Sequence, residues 1–464
     1  LRLKPPELKA RGGRGPPDST LLTKRAPAAM RSLAALFLLG TLQLAPSALG
    51  GRISAVRGLE AEGGGPFDLY VIGDSHGDQN YLYRCLLSTG LFELEGAAAE
   101  EREDENWRLV WKDDPQVHAR DFEVVVLGDA IDYGTHSLQN LQLLKELADH
   151  KVLGMRLVFL LGDHESMLLE LFQGYADARD MSERRRLQLL TATEGTDSEL
   201  AEWLTTRPVV YRSHRVLMMH GGLSKAVLRL ALKDESASWV KAACDSGRAQ
   251  CGQAITDRVN ELARGHYQKL HECTRAKGLE KANQCAVSAG EEPYPLGETD
   301  DKRLKRPWTR GDGGVLWFRG FSSLSDGANT PAACEEARVV GKYLGAKMMP
   351  VAHSTHEEIY ELCSEDAVPV FTLDTHPSDC AMMRTDEDSV PIRTECDFDP
   401  RKMFHFMPDD IEYDEPKVPQ SLHVRFGAKG ARELIEKCLS KVEVDGEVKQ
   451  GCTEITKLQK AKAA

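Results

Sequence analysis

Five short apolar runs, rich in β-branched residues, recur through the middle of the chain. They are Phe67–Ile72 (FDLYVI), Phe122–Leu127 (FEVVVL), Arg156–Leu161 (RLVFLL), Arg215–Met219 (RVLMM) and Lys347–Ala352 (KMMPVA). Runs of this length with little polar alternation suit strands covered on both faces. Helical patterns lie between them. From Ser137 to His150, for example, Leu138, Leu141, Leu144 and Leu147 recur at three-residue steps. Alternating strand and helix predicts an α/β core. Residues 93–121 and 240–305 read as polar, charged insertions. Beyond Pro400 the chain is rich in proline and charge, with one basic helix candidate near Lys429 to Lys441.

Length and composition narrow the picture only a little. At 464 residues the default is one large domain with extensions, and 41% hydrophobic residues can build a sizeable core. A net charge of −13 argues against a general nucleic-acid or anionic-membrane binder, since both need basic surface. Met30-Arg31, the apolar stretch Leu33 to Leu44 and the small residues Ala45 to Gly50 follow the order of a secretory signal peptide. The stretch is too short for a membrane span, which needs about 20 apolar residues. The expected organisation is therefore an upstream or disordered extension over 1–29, a signal peptide over 30–50, a main domain over 66–400 and a C-terminal tail over 401–464. Eleven cysteines fit an oxidising compartment. Cys244, Cys251, Cys273 and Cys285 share one helical, polar stretch and suit two local bridges, while the CxxC pairs of a zinc ribbon are absent.

The chemistry sits where the runs end. The first leads into Gly73-Asp74-Ser75-His76-Gly77-Asp78, the second into Gly128-Asp129-Ala130-Ile131-Asp132-Tyr133-Gly134, and the third into Gly162-Asp163-His164-Glu165. The fourth leads into His220-Gly221-Gly222 and the fifth into His353-Ser354. Ligands of α/β sheets bind at the carboxyl ends of strands, so such loops can gather distant residues into one place. An isolated Asp after a strand is usually a helix cap or turn former. Five strand ends carrying metal-ligand residue types point to a metal site instead.

These segments resemble the ordered motifs GDxHG, GDxxDRG, GNHE, HGG and G/AH of the calcineurin-like metallophosphoesterases. Trp203-Leu204 with Arg207 to Val210, Gly314 to Gly320, and Leu344 to Lys347 are similar to the Shewanella-like branch of the phosphoprotein phosphatases. The resemblance covers about residues 66–380 and implies a four-layer α/β/β/α sandwich with mixed central sheets. It also implies two divalent metals, Mn, Fe or Zn, that bind a phosphate and turn a water into a nucleophile. Asp74, His76 and Asp129 would hold one metal. Asp129, Asp163, His220 and His353 would hold the other. His164 would protonate the leaving oxygen, Asp132 would orient His164, and Arg319 would clamp phosphate beside Tyr133. Three positions depart from the pattern: Tyr133 stands for Arg, Asp163 for Asn, and Ala352 for Gly.

The resulting expectation is a hydrolase of phosphate monoesters, acting on phosphoprotein or a small phosphate ester. The alternatives are a catalytically weak metal-binding scaffold and a phosphodiesterase on the same fold. No nucleic-acid partner and no stable membrane insertion after signal removal are expected. The destination is the secretory pathway: secreted, an endomembrane lumen, or a plastid. His136, His150, His266 and His271 read as surface histidines, and Asp374 as structural. Arg184-Arg185-Arg186 reads as a solvated helix face, with an approach for an anionic substrate as the alternative.

Overall fold

In the computed structural model the five runs become strands because their alternate residues have two cores to fill. The structure describes residues 67–95, 108–113, 121–150, 155–171, 181–233, 237–278, 281, 284–285, 313–321, 331–356, 359–363, 368–375, 420–426, 432–444 and 447–454. The signal-peptide and extension segments lie outside these residues, as do parts of both expected insertions.

The first half runs β1 (Phe67–Ile72), α1 (Gln79–Ser88), β2 (Phe92–Glu95), β3 (Arg108–Trp111), β4 (Asp121–Val126), α2 (Ser137–Asp149), β5 (Met155–Phe159) and α3 (Asp163–Leu169). Then follow α4 (Glu183–Thr191), α5 (Gly195–Thr205), β6 (Val210–Ser213), β7 (Val216–Met219), α6 (Lys225–Lys233), α7 (Ser238–Ser246) and α8 (Arg248–Lys277). The last elements are α9 (Pro331–Leu344), β8 (Met349–Val351), β9 (Tyr360–Leu362), β10 (Val370–Thr372), β11 (Gln420–Phe426), β12 (Arg432–Val444) and β13 (Glu447–Glu454).

The largest sheet has the order β13-β12-β11-β1-β4-β5. It is mixed: β1, β4 and β5 run parallel, while β11 pairs antiparallel with β1. A second layer contains β6-β7 and β8-β10-β9, joined by a bridge between Val216 and Met348. Phe67, Leu69 and Val71 enter a core that also takes Val125, Val158, Val216, Met218 and Phe371, so it draws on both layers. Their neighbours Tyr70 and Ile72 enter a second core with residues of α1, α2 and α8. Two-sided burial at about 1.5–3 kcal/mol per large aliphatic side chain explains the unbroken hydrophobicity of these strands. The outcome is the expected α/β sandwich, with nine helices among the described residues.

Three expectations from the sequence are corrected. From Arg432 onward the helix candidate near Lys429 to Lys441 is strand β12, paired with β11 on one side and β13 on the other. Residues 420–426 are thus no separate tail: Leu422 and Val424 of β11 are fully buried in the core between the layers. Likewise α8, expected in an insertion, buries Ile255, Val259, Ala263 and Tyr267 in the main core. The two local bridges form as Cys244–Cys251 and Cys273–Cys285, and a third joins Cys334 to Cys363. Among the described residues no helix is long and apolar enough to cross a membrane.

Candidate active site

The parallel strands β1, β4 and β5 end side by side, which lines up the loops that follow them. The β1 loop carries Asp74 and His76, and the β4 loop carries Asp129, Asp132 and Tyr133. After β5, Gly162 leads into α3, whose first turn holds Asp163, His164 and Glu165. His76, Asp129, Asp132, Tyr133 and His353 all have positive φ, between 41° and 70°. Side chains rarely adopt such backbone, and its concentration in one place is typical of functional sites. At Gly162 a Cβ would overlap the Asp129 carboxylate, so only glycine lets these loops meet.

Glu165 locks the loops together from beneath. Its carboxylate accepts from the backbone amides of Asp129 (2.9 Å), Ala130 (2.8 Å) and Gly162 (2.9 Å). Complete burial and the neighbouring Asp129 push this carboxyl up to about 7, against the amides, which favour its ionised form.

Above this support, Asp129, Asp163, His220 and His353 bring one donor atom each within 4.8 Å of one another, all buried. His220 Nε2 lies 2.8 Å from Asp163 Oδ1 and 3.2 Å from Asp129 Oδ2, and His353 Nδ1 lies 2.9 Å from Asp163 Oδ1. A second group, His76, Asp129 and His164, meets the same distance criterion. Asp74 adjoins both: its oxygens lie 3.9 Å from His76 Nε2 and 3.6 Å from His220 Nδ1. Burial, then the Asp374 carboxylate, hold Asp74 well above the usual carboxylate range. Burial opposes charge on His220, yet Asp129 and Asp74 raise it well above an ordinary imidazole. Burial also opposes charge on Asp163, but His353 and His220 keep it well below the usual range.

Such a group of carboxylates and imidazoles fits divalent cations. His220 turns Nδ1 to the Leu127 carbonyl at 3.1 Å, and His76 turns Nδ1 to the Ile131 carbonyl at 3.3 Å. A backbone acceptor on one ring nitrogen leaves the other free to ligate, which is the usual support of a metal-binding histidine. Asp74 Oδ1 and His353 Nε2 are buried without a hydrogen-bond partner, a costly state that a bound cation or its water shell would relieve. The donor set of N and O atoms suits Mn, Fe or Zn.

A hydrogen-bonded histidine–aspartate pair stands next to this cluster. His164 Nδ1 lies 2.8 Å from Asp132 Oδ2, while its Nε2 lies 3.8 Å from Asp129 Oδ2. The Asp132 backbone amide is held in turn by Ser137 Oγ at 2.9 Å. Tyr133 occupies the departure from the family pattern and packs its ring 5.0 Å from His76 and 5.2 Å from His164. Arg319 is exposed at the rim, where its guanidinium donates to the His353 carbonyl.

Residues 67–269 match the family model described as calcineurin-like phosphoesterase. The chain carries a calcineurin-like phosphoesterase domain. Solved structures similar to it include a cold-active protein-tyrosine phosphatase of a psychrophilic Shewanella species, 17% identical over 79% of both chains with a TM-score of 0.43. A point mutant of a cold-active protein tyrosine phosphatase is 18% identical over 79% of both chains, with a TM-score of 0.45. A metallophosphoesterase from Sphaerobacter thermophilus is 18% identical over 33% of this chain and 46% of that one, with a TM-score of 0.20. No curated protein matches the chain at a significant level.

The phosphoesterase domain contains one site residue that sequence reasoning misplaced. Arg186, read as part of a solvated face, is only 2% exposed and pairs with Asp132 Oδ1, on the carboxylate that holds His164. Burial lowers this guanidinium to about 10, which still leaves it charged at neutral pH. A signal was present: Arg186, Leu189 and Leu190 recur at i, i+3 and i+4, so the arginine shares the buried face of α4. Of its neighbours, Arg185 pairs with Asp197 and Arg184 faces solvent. Two of the expected surface histidines also lie deeper: His271 is buried, and His266 sits 3.3 Å from Glu170.

Proposed function

We propose that the chain hydrolyses phosphate monoesters at this site and belongs with the Shewanella-like phosphoprotein phosphatases, with phosphoprotein as the substrate class. One observation carries the reading. Asp129 is common to both donor groups, and the His164–Asp132 pair faces it with Nε2 turned inward. A shared carboxylate supports a two-cation site, with Asp74, His76 and Asp129 on one ion and Asp129, Asp163, His220 and His353 on the other. Divalent cations bound there would supply an activated water and offset phosphate charge.

The protein's own residues do the rest. Asp132 accepts a hydrogen bond from Nδ1–H of His164 and so turns Nε2 toward the site, where the imidazolium form carries its second proton. As the phosphorus–oxygen ester bond breaks, that Nε2 proton passes to the departing oxygen. Arg319 at the rim offers a planar pair of donors to phosphate oxygens, and the Tyr133 ring walls the side where the family pattern has an arginine. The signal-peptide pattern, joined by three disulfides, supports a route through the secretory pathway.

The test is turnover of an aryl phosphate and of a phosphoserine, phosphothreonine and phosphotyrosine peptide panel by the full chain with Mn. Turnover of monoesters with no action on diesters is expected. Metal-loaded protein that hydrolyses none of them would overturn the proposal and leave the scaffold reading.

A further inference from the structure

The cations of this acidic protein are unevenly spread. Two adjoining cavities, of about 370 and 420 Å³, lie between the start of α8 and the second half of α9. Arg248, Arg338 and Lys342 line both, Arg215 and Lys347 line the larger, and no Asp or Glu among the described residues lines either. Five positive side chains thus gather in one groove of a chain whose net charge is −13. Arg338 is committed to a carboxylate, Glu335 on its own helix, by two hydrogen bonds of 2.6 Å. Among the described residues Arg215, Arg248, Lys342 and Lys347 form no ion pair, and all four are exposed.

Two further features suit an anion. Arg248 is the first residue of the 30-residue helix α8, and its N-cap, Gly247, has no side chain with which to cap the helix. The first amides and the positive end of the helix dipole therefore add to the charge of the side chains. The groove is also built rather than loose. Cys244–Cys251 ties α7 to the first turn of α8. Gly252 of α8 packs so closely on the Leu344 carbonyl of α9 that no side chain would fit there.

The groove is not the metal site. Arg215 precedes β7 and Lys347 precedes β8, whereas His220 and His353 follow those strands. At about 3.3 Å per residue, the two ends lie on the order of 17 Å apart. A phosphate held in the groove is out of reach of His164.

We propose that this groove binds a small oligophosphate anion, one with two or more linked phosphoryl groups. A single phosphate would neutralise at most two of the five cations. A linked series can meet several guanidinium and ammonium groups at once, across both cavities.

The test is calorimetric titration of the full chain with sodium tripolyphosphate, after EDTA stripping and dialysis so that no metal can hold phosphate at the active site. One equivalent should bind, more weakly as salt rises. The double variant Arg248→Ser, Lys342→Ser should bind at least about tenfold more weakly, a 1.4 kcal/mol change. His220→Ala should bind as wild type does. Arg229→Ser with Lys233→Ser on α6 removes the same charge elsewhere and should change affinity less than about twofold. Absence of binding to wild type would overturn the proposal, as would loss in the His220 variant or equal losses in both double variants. A doubly phosphorylated peptide that binds where tripolyphosphate does not would overturn it in favour of a docking site for protein.

Discussion

The two halves of the site are built in opposite ways. The donor cluster is made by backbone: four loops at neighbouring strand ends, strained φ values, close glycines and the Glu165 brace fix Asp129, Asp163, His220 and His353. The proposed proton donor depends instead on a relay of side chains. His164 leans on Asp132, and Asp132 leans on Arg186, which arrives from α4, outside every strand-end loop. Damage to the first half should therefore cost metal and activity together. Damage to the second should cost activity while metal stays.

The largest effect should come from the cluster. His220→Ala removes a donor between Asp129 and Asp163 and leaves two buried carboxylates less compensated. Bound metal, measured by elemental analysis, should fall by at least half, and turnover should fall to background. Full metal content with normal turnover would break the comparison on this side. His164→Asn should cost about 10²–10⁴-fold in turnover with metal content near wild type. Loss of metal in that variant would make His164 a ligand rather than the donor.

Arg186 sharpens the contrast further. Arg186→Met deletes the charge that holds Asp132 from behind while keeping much of the volume. A loss of about 10–100-fold in kcat is expected, of the size seen when supporting hydrogen bonds to site residues are removed. A merely structural role would lower the rate for every ester alike. A positioning role should hurt alkyl phosphates more than aryl phosphates, because good leaving groups need little proton transfer. Equal losses across a series of leaving groups, or loss of metal, would count against it.

What the sequence disclosed follows the same division. The strand-end loops concentrate signal into a few contiguous residues, so the six residues expected as metal donors could be picked out, and the structure brings them together across separations of up to 279 positions, as between Asp74 and His353. The Asp132–Arg186 pair has no such concentration, because helix α4 contributes a single side chain across 54 positions. Strand β12 escaped for another reason. Leu434, Ile435, Cys438 and Leu439 fall at spacings that suit a helical face, and only pairing with β11 and β13 selects the extended form. In β11 the alternation of Leu422 and Val424 with Ser421 and His423 was present but short, and it lay beyond a proline- and charge-rich stretch.

The smallest expected effect tests whether Asp163 belongs wholly to the cluster. Its Oδ1 lies between His220 and His353 at 2.8 and 2.9 Å, so its charge serves the donors, while its backbone neighbour is the proposed proton donor. Asn in its place raises the net positive charge of a metal-loaded cluster by one. Water near the cations should then ionise more readily, while the cations themselves are held less tightly. Activity at neutral pH should rise by about two- to fivefold, with the optimum moving downward and EDTA sensitivity increasing. The metal-free protein gives an independent reading. A carboxylate held below its ordinary value adds stability above about pH 4, and that contribution is lost as the pH falls through the lowered value. Metal-free Asp163→Asn should therefore melt below wild type at about pH 6, with the gap narrowing as the pH falls below about 4. A variant slower at every pH, yet showing that same stability pattern, would place Asp163 in the rate-determining step as well as in the cluster.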